Sequence, residues 1–155
     1  LYEFYIIKKA VMFKKMPKPL VVILVLVGLA LLIQLVPYGR NHSNPPVIAE
    51  PNWDSPQTRE LAKQACFDCH SNEVVYPWYS NIAPASWLIQ RDVEEAREKL
   101  NFSEWGNNGE VDDIVEVVER GEMPPFQYTI IHTNAVFSAQ EKQAFIQGIQ
   151  STIAR

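Results

Sequence analysis

Residues 55–72 read SPQTRELAKQACFDCHSN. Ser55 has the chemistry of a helix N-cap, and Pro56 suits the first helical position, where a missing N–H costs nothing. Leu61, Ala62, Ala65 and Cys69 then fall on one face at helical spacing, so the stretch predicts a helix that ends in Cys66-Phe67-Asp68-Cys69-His70. Downstream, residues 72–84, NEVVYPWYSNIAP, are aromatic and interrupted by Pro77 and Pro84, which predicts a packed loop. Ile89, Val93, Ala96 and Leu100 predict a second helix from Ser86 to about Leu100. Val111, Ile114, Val115 and Val118 mark a third, with Gly121 placed to end it. Ser138-Ala139-Gln140-Glu141 is a capping-box pattern opening a last helix that presents Phe145, Ile149 and Ile153 inward. No internal repeat and no strand pattern emerges, so residues 55–155 are expected to form one all-α domain.

The chemistry lies in the Cys-x-x-Cys-His run. Two thiols three residues apart on a helical turn can bond the two vinyl groups on one edge of a haem, and the next residue, His70, then supplies an imidazole beneath the ring. This reading makes Cys66 and Cys69 the covalent attachment points of one haem c and His70 the proximal iron ligand. Three other readings compete. A dithiol redox motif wants a thioredoxin-like βαβ scaffold, for which there are no strands. A zinc site wants four ligands, and besides the motif only His42 and His132 are available. A plain disulfide between the two cysteines is the third.

The 155 residues are 47% apolar, enough for a real core, and two cysteines are too few for a disulfide framework. Residues 1–40 hold six Lys or Arg (Lys8, Lys9, Lys14, Lys15, Lys18, Arg40) against Glu3, a net of +5, whereas the rest carries -9. An acidic body repels phosphate backbones, which excludes nucleic acid as a natural partner. Between them runs LVVILVLVGLALLIQLV, residues 20–36, uncharged and with Gln34 its one polar side chain. Seventeen helical residues reach about 25 Å, at the short end of what a bilayer core of about 30 Å requires. The expectation is a single-pass anchor over 20–36, a basic cytoplasmic segment over 1–19, and export of residues 41–155 to the periplasmic or extracytoplasmic side of the inner membrane. A cleaved signal peptide is the competing reading, but the only small-x-small triplet in reach is Gly28-Leu29-Ala30. Residues 37–54, with Pro37, Pro45, Pro46 and Pro51, read as an extended tether with no core of its own.

For the sixth iron position, Met12 and Met16 precede the apolar run, which leaves Met123, in Gly121-Glu122-Met123-Pro124-Pro125, as the thioether on the exported side. Two prolines stiffen that loop. His132 is the rival ligand, and an open position is the third possibility. Core packing is the default for the aromatic residues, but a haem adds a large apolar surface to cover. Trp78, Tyr79 and Trp87 are therefore candidate pocket residues, and Arg91 is a candidate partner for a propionate.

The segments CFDCHSNEVVYPWYSNIAPASW (66–87), LNFSEW (100–105), GEMPPFQYTIIH (121–132) and SAQEK (138–142) resemble the bacterial haem-binding domain family of small exported monohaem c-type proteins. The likeness covers about residues 50 to 150 and departs from the family at His132-Thr133, where a proline commonly follows the histidine. The resemblance implies a cytochrome c-like helical fold, covalent haem at Cys66 and Cys69, iron ligation by His70, and a methionine ligand that maps to Met123. An iron with both axial positions filled suits electron transfer between redox partner proteins at the membrane, and not enzymatic turnover. The alternatives are a haem-based sensor with a displaceable methionine and a small peroxidase, which would need an open iron and an acid or base such as His132 or Glu122.

Overall fold

A computed structural model describes residues 16–106 and 111–155; Lys8, Lys9, Lys14, Lys15 and Met12 of the basic N-terminal segment lie outside them. The described residues are helical, with one isolated bridge between Ala49 and Glu104 in place of any strand. An N-terminal helix, α1 (Lys18–Ile33), is followed by α2 (Pro56–Ala65), the short α3 (Phe67–His70), α4 (Ala85–Lys99), α5 (Ile114–Glu119), α6 (Phe126–Ile131) and α7 (Ala139–Ile153). Short 3-10 turns cover Trp78–Asn81, Val111–Asp113 and Thr133–Ala135.

The caps behave as local chemistry dictates. Ser55 accepts a hydrogen bond from the Thr58 N–H at 3.2 Å with Pro56 behind it, starting α2. Ser138 and Glu141 form the reciprocal capping box of α7. Gly121, at φ +71°, terminates the α5 segment. α7 packs across α2 and α5, and α3 packs on α4, which encloses Leu61, Ala62, Phe67, Leu100, Phe102, Ile114, Val118, Phe145 and Ile149.

The segment expected to be a free tether is instead a strap. Ile48 and Ala49 donate their N–H groups to the Ser103 carbonyl at 2.9 and 3.1 Å, and Trp105 donates back to the Ala49 carbonyl. His42 stacks on Tyr76 with ring centroids 4.4 Å apart, and Trp53 stacks on Phe102 at 5.6 Å. Gly39 comes so close to α4 that a Cβ there would lie 2.1 Å from the Ser86 carbonyl oxygen. The folded unit thus begins well before Ser55, because the strap's apolar and hydrogen-bonding groups have partners on the domain.

Among the described residues, the expected membrane-spanning helix over 20–36 is unsupported. α1 has 16 residues, and no helix among the described residues is long and apolar enough to cross a membrane. The chain leaves the helix at Gln34, whose side-chain amide donates to the Ala83 carbonyl at 2.8 Å and accepts from the Ala83 N–H at 3.0 Å. That paired contact fastens the end of α1 to the turn before α4. α1 itself buries none of its residues.

Candidate functional site

The Cys-x-x-Cys-His run is one tight helical turn. The N–H groups of Cys69 and His70 both donate to the Cys66 carbonyl, at 3.1 and 2.8 Å, so the two thiols and the imidazole share a rigid frame. Phe67 roots that frame: it is buried and stacks on Phe102 with centroids 5.5 Å apart. Behind the turn, the His70 carbonyl accepts the Phe102 N–H, and the Ser71 hydroxyl donates to the Phe67 carbonyl at 2.8 Å.

His70 is oriented by the C-terminal end of α4. Its Nδ1 lies 3.1 Å from the Ala96 carbonyl oxygen and 3.0 Å from that of Leu100. Both partners are acceptors, so Nδ1 carries the proton; the Ala96 carbonyl also accepts the Leu100 N–H at 2.9 Å, and the Leu100 carbonyl lies just past the end of α4. Nε2 keeps its lone pair and has no hydrogen bond to any described residue. Burial pushes the His70 pKa below its usual value, against the opposing pull of the two carbonyls. A neutral imidazole with Nδ1 tied to carbonyls and Nε2 left bare is the state of a metal-ligating histidine with its outer partner in place.

Both cysteines are free and partly buried. Burial pushes the Cys66 thiol up to about 12, and the Cys69 thiol to about 11, with Asp68 and Asp92 pushing the same way and Arg97 opposing. Both are therefore protonated thiols at neutral pH. A dithiol oxidoreductase relies on a lowered cysteine pKa, so the direction of both shifts does not favour the redox-motif reading. The described residues contain no cluster of three or more His, Cys, Asp and Glu side chains placed to hold a metal ion, which removes the zinc reading among them. The donor set that remains, two free thiols and one bare imidazole nitrogen on a single turn, fits a haem.

Met123 lies on the link between α5 and α6, 38% exposed, with its N–H donating to the Val117 carbonyl at 3.3 Å. His132 closes α6, and its Nε2 is engaged by the Tyr79 hydroxyl at 2.9 Å while its ring stacks on Tyr128 at 4.2 Å. Tyr79 is thus brought to the rival ligand. Trp78, in the same 3-10 turn, is 77% exposed and is not a core residue.

Trp87 and Arg91 are not brought to His70. They line a groove with Val36, Tyr38 and Leu88, and Arg91 pairs with Glu95 at 2.7 Å. The reason is helical phase: Trp87 lies nine residues before Ala96, about 180° away around α4.

Two site residues escaped the sequence reading. Asp68 accepts the Tyr128 hydroxyl at 2.7 Å through one carboxylate oxygen and the Val75 N–H at 3.2 Å through the other. Burial, then the Asp68 hydrogen bond, raises the Tyr128 pKa and keeps its hydroxyl a donor. The only available signal for Asp68 was its position between the two cysteines. Nothing local marks Tyr128, which lies 60 residues away in sequence.

Among known proteins, a family model described as a haem-binding domain matches residues 28–151. No curated protein and no solved structure matches the chain.

Proposed function

Because the chain belongs to the haem-binding domain family, we propose that it is a membrane-anchored monohaem c-type cytochrome that carries electrons outside the cytoplasmic membrane. In this reading haem c is joined to Cys66 and Cys69, His70 is the proximal iron ligand and Met123 the distal one. The observation that carries it is the His70 ring, whose Nδ1 is tied to the Ala96 and Leu100 carbonyls one residue after two free thiols.

Bound haem c supplies a one-electron iron couple. The work of this chain is to hold that group still. His70 keeps Nε2 free of protons and in fixed direction; the turn anchored by Phe67 keeps both sulfurs in register with it. A thioether ligand favours the ferrous state and raises the potential. His132, the side chain a small peroxidase would use, is already occupied by Tyr79 and Tyr128, which favours Met123 and an electron carrier over an enzyme.

Membrane attachment is supported by the apolar surface of residues 18–36. Leu24, Val27, Leu31 and Leu35 are all at least half exposed, so the domain does not cover them. The lysines N-terminal to that run favour export of the domain.

The test uses the full-length protein purified from membranes. Haem should survive denaturation and acid-acetone extraction, the mass should include one haem, and the protein should resist a high-salt wash and yield to detergent. Haem that extracts freely refutes covalent attachment. Release by salt alone refutes the anchor without touching the haem assignment.

A further inference from the structure

α6 buries none of its own residues; Phe126, Ile130 and Ile131 are all at least 60% exposed. A helix with no buried face is not held in place by apolar packing, yet this one directly follows the Met123-Pro124-Pro125 segment. What ties it to the attachment turn is polar and aromatic. The Tyr128 hydroxyl donates to Asp68 Oδ2 at 2.7 Å, the Tyr128 and His132 rings lie nearly parallel at 6°, and the Tyr79 hydroxyl meets His132 Nε2 at 2.9 Å. Asp68 cannot drift relative to the thiols, since it sits between them on the turn closed by the Cys69 and His70 N–H groups. Its second oxygen is fixed by the Val75 N–H. Tyr79 comes from the 3-10 turn Trp78–Asn81, which packs on α4, the same helix that orients His70.

We propose that Asp68, Tyr128, His132 and Tyr79 form a clasp that holds the Met123 segment in register with the Cys66–His70 turn, making them positioning residues for the distal ligand; this rests on Met123 being that ligand. His132 then has a task other than binding iron. Tyr128 is five residues from Met123 on a segment stiffened by two prolines, so displacing the ring displaces the thioether.

The holoprotein tests this with Tyr128→Phe, which removes one hydroxyl and keeps the ring, and with Tyr79→Phe as a second variant. Haem content and far-ultraviolet circular dichroism should match wild type. The long-wavelength sulfur-to-iron band of the oxidised protein should weaken, and carbon monoxide should bind the reduced protein about tenfold faster, the scale of losing one hydrogen bond to a charged group. Amide exchange should accelerate across residues 123–131 and stay unchanged across 56–70. Asp68→Asn keeps one acceptor oxygen where Asp68 uses two, for the Tyr128 hydroxyl and the Val75 N–H, so it should lose part of the band, and Asp68→Ala should lose more. If both tyrosine variants keep the wild-type band, carbon monoxide rate and exchange pattern, the clasp is refuted while the Met123 assignment stands. If wild type itself lacks the band, the Met123 assignment fails and the clasp falls with it.

Discussion

At the scale of single residues, His70 and Met123 face different demands. His70 has its direction set by two backbone carbonyls, so its geometry is built before any iron arrives. Met123 has its backbone N–H held by the Val117 carbonyl, and its side chain is exposed. If Met123 is the distal ligand of a covalently held haem, as proposed, Met123→Ala should abolish the sulfur-to-iron band, lower the potential and open the iron to carbon monoxide, while the thioether bonds and His70 preserve the fold. His132→Ala should weaken that band through the loss of stacking on Tyr128 but leave methionine ligation in place. A protein that turns high-spin only when His132 is removed would reverse the two assignments.

Elements meet here at contacts too close for ordinary side chains. α7 crosses α2 where Gly148 faces Thr58, and a Cβ at Gly148 would lie 2.0 Å from the Thr58 hydroxyl oxygen. Alanine is the better helix former by about 1 kcal/mol in an exposed site. At this crossing the overlap costs more, about 1–3 kcal/mol for an overpacked core, so Gly148→Ala should lower the thermal midpoint. A midpoint equal to or above wild type would mean that the crossing relaxes freely. The aromatic set formed by Trp53, Phe67, Phe102 and Trp105 joins strap, the Cys66–His70 turn and the segment after α4 in the same dense way, with Phe102 at its centre.

For the whole molecule, the decisive feature is that residues 37–54 are docked, so the domain is held against the end of α1 and does not swing on a tether. Gln34 on Ala83 and Gly39 against Ser86 fix one end of the strap. Glu50 fixes the other, meeting Arg59 of α2 through both carboxylate oxygens at 2.6 and 2.7 Å and accepting the Trp53 indole N–H at 2.9 Å. The Arg59 guanidinium is the main cause that holds the Glu50 pKa below the ordinary carboxylate value. A carboxylate whose folded pKa is depressed contributes stability above its unfolded pKa and loses it as pH falls through the folded value. Glu50→Gln should therefore cost about 1 kcal/mol at pH 7, and the gap to wild type should close below about pH 4. A gap that stays constant with pH would show that the ion pair does not hold the strap.

What could be read from the sequence was whatever a few neighbouring residues decide. The caps at Ser55 and Ser138, the periodic faces of α2, α4 and α7, the helix end at Gly121 and the spacing of Cys66, Cys69 and His70 are interactions within a turn or two, and local chemistry fixes them. Even Gln34, the one polar residue in the apolar run, sits where α1 stops, although its sequence could not show that Ala83 was waiting for it. The docking of the strap, the meeting of His70 with the Ala96 and Leu100 carbonyls, the helix over Phe126–Ile131 and the joining of Tyr128 to Asp68 depend on partners tens of residues apart. Such pairings are chosen by which apolar faces can be buried together and which polar groups are then left needing a partner, and only the tertiary structure makes that choice.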